Sequence, residues 1–232
     1  MKYCLPALLC AFLLLCACGR PHGDMPTLVE YAVDNKVHVS PMNVNVTPMA
    51  ALERRPRALF MPLRVLQDVQ HHVTLGRSIS RQVWQTWLSM NLFEVLQFEE
   101  SAGPWDPTSA IALGRRLGAE VVCGGYINSY LDGGAEGKSS ATLQIEIYDV
   151  KSGSLLFSLA QAGLMEDIPA RDYYVFSVKE RMPLDSAALV IRTVSHNMGL
   201  KIAEWTDTVE MRARRKGEDK DWLSKSMRRT AF

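Results

Sequence analysis

The hydrophobic pattern predicts an α/β fold, a mixed β-sheet of three to five strands with helices packed against it, in the order βαβαβββα. Three observations carry this. Apolar residues recur at helical spacing in three stretches, near 75–91, 107–117 and 184–206. Short apolar runs suited to buried strands separate the first two of these and follow the second. A strictly alternating segment from Thr142 then turns back on itself at 149–153.

The chain opens on something other than this fold. Its first eighteen residues carry one base, Lys2, ahead of an almost wholly apolar run. A run this short is a signal-peptide core, since a membrane-crossing helix needs about 20 apolar residues. It closes on Leu15-Cys16-Ala17-Cys18, which resembles a bacterial lipobox: Ala17 is the small residue before cleavage and Cys18 the thiol that takes diacylglycerol, with Cys16 an unusual occupant of its place. The resemblance implies a mature chain that begins at Cys18 and carries up to three hydrocarbon chains of the palmitate kind, enough for a stable hold on a bilayer. An ordinary signal peptide cut at the same bond, leaving Cys18 free, is the alternative. Gly19 is not acidic, which in lipoproteins accompanies onward transfer to the outer membrane.

Residues 19–56 contain Pro21, Pro26, Pro41, Pro48 and Pro56 without sustained periodicity, the composition of an extended tether. Within it, Lys36-Val-His-Val-Ser40 with Val44 and Val46 alternates briefly and leaves open an added edge strand. Leu59 to Leu66 reads as a strand interrupted at Pro62. In the helix that follows, Ile79, Val83, Trp84, Trp87 and Leu88 build one apolar stripe. Phe93 to Phe98 is a second strand. The next helix is punctuated by Asp106 at its N-cap, Pro107 at its first position and Gly118 at its C-terminal cap, with Ala110, Leu113 and Leu117 on its buried side. Ala119 to Ile127 reads as a central strand in which Gly124 and Gly125 permit a bulge or a close approach. Thr142 to Tyr148 and Ser154 to Ala160 form the two arms of a hairpin about Asp149-Val-Lys-Ser-Gly153. The last helix aligns Ala187, Val190, Ile191, Val194, Met198, Ile202 and Trp205. From Asp207 onward the tail holds eight bases and five acids and reads as a solvated end.

Without residues 1–17 the chain keeps 215 of 232 residues, one domain of ordinary size at 57–206, with a formal charge of zero. That balance does not advertise nucleic acid as a partner. Of five cysteines only Cys18 and Cys123 survive, so with Cys18 acylated no internal disulfide forms.

Candidate chemistry is sparse. Gly133 to Ser139 ends in Gly-Lys-Ser, but Asp132 stands where a phosphate loop needs its first glycine, and a strand follows instead of a helix. His71 and His72 are adjacent and diverge, which suits a helix entrance better than a metal site. Cys123 and His196 caricature a nucleophile and base, yet a thiol inside an apolar strand is usually inert. No cofactor or metal is expected. The basic run Arg212, Arg214, Arg215 and Lys216 lies beside acids and reads as a solvated face.

Two segments, Leu117-Gly-Ala-Glu-Val-Val-Cys-Gly-Gly-Tyr126 and Ile145-Glu-Ile-Tyr-Asp-Val-Lys-Ser-Gly-Ser-Leu-Leu-Phe157, resemble those of a superfamily. It joins the amino-terminal domain of TolB, the curli-secretion lipoprotein CsgG, the penicillin-binding-protein activator LpoB and the flagellar lipoprotein FlgO. The resemblance covers roughly 57–206 and implies a non-enzymatic docking or assembly role at the periplasmic side of the outer membrane. The implied partners are the membrane, through the lipid anchor, and an envelope protein, with a homo-oligomeric ring or secretion pore as the rival. It brings no catalytic residues with it. The long connection from Leu164 to Met182 is the candidate partner-binding segment, with Arg171, Tyr173, Tyr174, Phe176, Lys179 and Arg181. Its aromatics can equally wrap the sheet edge.

Overall fold

A computed structural model describes residues 37–48, 52, 54–134, 137–166, 171–173, 176–178 and 185–207. Its strands are β1 (His38–Val39), β2 (Asn43–Val46), β3 (Arg57–Phe60), β4 (Arg64–Val65), β5 (Val95–Phe98), β6 (Val121–Leu131), β7 (Ser139–Asp149), β8 (Leu155–Met165), β9 (Arg171–Tyr173) and β10 (Phe176–Val178). The described helices are α1 (His72–Ser89), α2 (Pro107–Leu117) and α3 (Ser186–Thr206). The fold is mixed α/β, as the pattern predicts, but the main sheet has eight strands, in the order β1-β8-β7-β6-β3-β5, with β2 also on β8 and β4 also on β6. The expected three to five strands did not count β1 and β2, which the 36–46 alternation left open, and took β3 and β4 as one strand interrupted at Pro62.

β3 runs parallel to both β5 and β6, and α1 and α2 supply the crossovers that parallel pairing requires. β6, β7 and β8, eleven residues each, then form an antiparallel meander. α1 and α3 share one face of the sheet. Phe60, Cys123, Ile127, Leu143, Ile145, Ile147, Phe157 and Leu159 meet Ile79, Val83, Trp87, Val190, Val194 and Met198 there in the larger core. Trp87 donates its Nε1–H to the Ser195 carbonyl across the two helices at 2.9 Å. On the other face α2 closes a smaller core of Leu59, Met61, Trp105, Ala110, Val122 and Val150.

Local chemistry sets the element ends where the residues announced them. Asp106 accepts the Ser109 backbone N–H at 2.9 Å, Pro107 opens α2, and Gly118 takes the left-handed conformation with φ 70°. At the β7–β8 turn the Asp149 carboxylate accepts from Ser152 N–H at 2.6 Å and Gly153 has φ 73°. His71, at φ 60°, is the left-handed residue at the entrance of α1. All seven residues of the α3 stripe are buried.

Other expectations fail in detail. Leu117 is 41% exposed, and Gly114 takes the buried place on α2, close against Val122. The irregularity in β6 falls between Ile127 and Ser129, and of the two readings of the glycine pair the close approach is the one that holds. Asp207, expected at the start of a solvated tail, is buried and ion-paired with Arg55 at 2.7 Å.

The 36–46 alternation does add strands. β1 and β2 both lie on the outer side of β8, with His38 opposite Leu164 and Asn43 opposite Ala160. Between them Ser40 binds β8 three times: its N–H donates to the Ala162 carbonyl at 2.8 Å, its Oγ accepts from Ala162 N–H at 3.0 Å, and its carbonyl accepts from Gln161 Nε2 at 2.9 Å.

Candidate functional site

The connection between β8 and α3 carries the residues singled out for partner binding. It is not structureless: β9 and β10 pair antiparallel as a two-stranded ribbon separate from the main sheet. Tyr173 stands opposite Phe176 and Arg171 opposite Val178. Tyr174, Lys179 and Arg181 lie outside the described residues, as do Cys18 and the basic run at 212–216.

Among the described strands the main sheet ends at β1 and β2 on one side and at β5 on the other. β1 and β2 occupy the outer side of β8, whereas β5 pairs with β3 alone among the described strands. Val95 and Gln97 alternate outward there, and Trp84 stacks on Phe98 beside it with ring centroids 5.9 Å apart while donating to the Leu96 carbonyl at 3.0 Å.

The catalytic caricatures do not assemble. Cys123 is buried in β6, where burial pushes its thiol pKa far up, while His196 is exposed on α3. Lys138 and Ser139 lead into β7, a strand, so the Gly-Lys-Ser sequence does not open a helix. Among the described residues no three His, Cys, Asp or Glu side chains gather as a metal site. No helix among them is long and apolar enough to cross a membrane.

A cluster that sequence reading missed lies on the sheet face away from α1 and α3. Trp105 sits directly over Gly124, where an added Cβ would fall 2.0 Å from its Cε3 atom. The indole Nε1–H donates to Glu146 Oε2 at 3.2 Å, and Gln144 Nε2 donates to Glu146 Oε1 at 3.2 Å. Tyr148 lies beside the indole, ring centroids 6.2 Å apart, and Tyr126 stands opposite Gln144 in the register. Burial first, and the Glu146 carboxylate second, raise the hydroxyl pKa of both tyrosines, which keeps them neutral. The glycine pair signalled a close approach; nothing in the sequence named the ring that makes it.

No family model matches the chain, and no curated protein does. Solved structures are similar to it. The PelC dodecamer from Paraburkholderia phytofirmans is 16% identical, with 68% of this chain and 96% of that one covered, at a TM-score of 0.45. The LpoB C-terminal domain from Salmonella enterica is 12% identical, covering 47% and 83%, at 0.28. Lipoprotein GNA1162 from Neisseria meningitidis is 10% identical, covering 62% and 96%, at 0.33.

Proposed function

We propose that this chain is a non-enzymatic adaptor or assembly factor of the cell envelope, held by lipid on Cys18 at the periplasmic face of the outer membrane. It docks an envelope protein on the β9–β10 ribbon and the β5 margin of its sheet. The ribbon is the observation that carries the reading. A lone two-stranded hairpin is marginally stable in water, so one set apart from the main sheet gains by docking. An exposed strand margin binds extended segments through its unpaired backbone groups. Arg171, Tyr173, Tyr174, Phe176, Lys179 and Arg181 supply the aromatic and arginine character that dominates interface energetics. The apolar run ending in Cys18, and the 19–37 stretch between it and β1, support a domain carried off a bilayer surface.

The test is removal of 166–181 from the otherwise intact protein, with in-cell cross-linking as readout. The deletion should retain the circular dichroism of the parent and lose the cross-linked partner. Retained capture would refute the ribbon as the docking element.

A further inference from the structure

The covering of the sheet is unequal. Among the described residues α2 covers one end of the face away from α1 and α3, packing with Leu59, Met61, Trp105, Val122 and Val150. Beyond it the register lays out rows of short or polar residues: Arg64 opposite Tyr126, Tyr126 opposite Gln144, and Gln144 opposite Ala160. In the next row Glu146 stands between Gly124 and Ser158.

Glu146 is unusual in this setting. It is half-buried, and none of the described ion pairs supplies it with a cation. Its two oxygens are nonetheless held in place, Oε2 by the indole N–H of the fully buried Trp105 and Oε1 by Gln144. Each carboxylate oxygen has two lone pairs, and the Tyr148 hydroxyl also hydrogen-bonds to Glu146, so three neutral donors leave one acceptor site open. Two neutral tyrosine rings flank it.

We propose that Glu146, Tyr126 and Tyr148 form a recognition site for a guanidinium group, the head of an arginine presented by a protein partner. A planar guanidinium donates an N–H to the remaining acceptor while its flat face lies along a tyrosine ring, whereas an ammonium is a point charge with no such face. The tyrosine faces favour a cation stacked against them. Complementarity of charge selects the occupant: the carboxylate is held by neutral donors, and no ion pair among the described residues gives it a cation. Gly124 serves this arrangement by letting Trp105 lie flat on β6 with its N–H aimed along the sheet. The site is separate from the β9–β10 ribbon and stands or falls without it.

The experiment is nuclear magnetic resonance on the full-length protein in mild detergent at low salt, following the tryptophan indole N–H signals while N-acetyl-arginine methylamide is added. The signal displaced in Glu146→Gln identifies Trp105. That substitution preserves volume and an acceptor for the indole. The signal should shift saturably, with a dissociation constant of order 1 mM for so small a probe. The citrulline derivative, a neutral isostere, should leave it in place, and the lysine derivative should bind more weakly. E146Q should lose about tenfold in affinity, the scale of one charge-assisted bond. Tyr126→Leu and Tyr148→Leu, which leave the carboxylate intact, should each weaken binding several-fold. A shift that does not saturate, an equal response to citrulline or lysine, or affinity unchanged in all three variants would overturn the proposal.

Discussion

Gly124 shows how much one missing side chain can organise. On a central strand a β-branched residue would normally add packing, yet here the space above the backbone belongs to Trp105. Gly124→Ala should therefore cost at least about 3 kcal/mol, the upper range for overpacking, because the contact is with a rigid ring. Urea denaturation with an unchanged slope would establish it, and a loss under about 1 kcal/mol would mean the indole moves aside freely. The neighbouring Cys123 makes the opposite kind of prediction. Its thiol is buried and its pKa raised, so a thiol reagent at pH 8 should label the folded protein only as fast as it unfolds, and at once in denaturant. At this scale the sequence was informative wherever the cause is local. The Asp106, Pro107 and Gly118 caps depend on a few neighbouring atoms and were readable. Glu146 and Trp105 were not, because Trp105 lies in a loop without periodicity and meets Glu146 only through the register of β6 and β7.

Among the elements, length separates what was legible from what was not. β7, β8 and α3 repeat their period often enough to be recognised, and the β7–β8 turn carries its own chemistry. β1 and β4 are two residues each, too short for a period to settle them. Their existence is decided by the open side of a longer strand elsewhere in the chain. Leu117 failed for a related reason: α2 touches the sheet near Ala110 and Gly114, and its last turn runs past the edge of that contact. β1 and β2 also have a job that their size disguises. They satisfy the outer groups of β8, an eleven-residue strand that would otherwise end the sheet with a long bare edge. Deleting 37–47 should leave a protein that self-associates with rising concentration, seen as a growing mean mass in light scattering beside a steady parent. A truncated protein as monodisperse as the parent would show that β8 needs no cover.

For the whole molecule, acid sensitivity follows from two surface carboxylates that gain hydrogen bonds on folding. The Ser109 hydroxyl and then its N–H hold Asp106 below its ordinary pKa, and the Arg57 N–H, with Arg54 adding, does the same for Glu120. A carboxyl whose pKa is lower when folded contributes stability above its unfolded pKa, near 4, and loses that contribution as pH falls through the folded value. The unfolding temperature should hold from about pH 7 to 5 and decline below about 4. The pair Asp106→Asn with Glu120→Gln should start lower at neutral pH and decline less steeply, and an unaltered profile would place the acid response elsewhere. The pairing of β1 and β2 with β8 also bears on how the molecule comes into being. Ser40 and Ala162 are 122 residues apart along the chain. The meander from β6 to β8 needs only neighbouring segments, whereas closing so long a loop is slow. Synthesis runs from the amino terminus, so the stretch that leaves the ribosome first among the sheet's strands is obliged to wait for almost the last. Throughout that interval the newborn β8 edge is bare, and the time between its emergence and its covering is when this chain is most exposed to mispairing with its own kind.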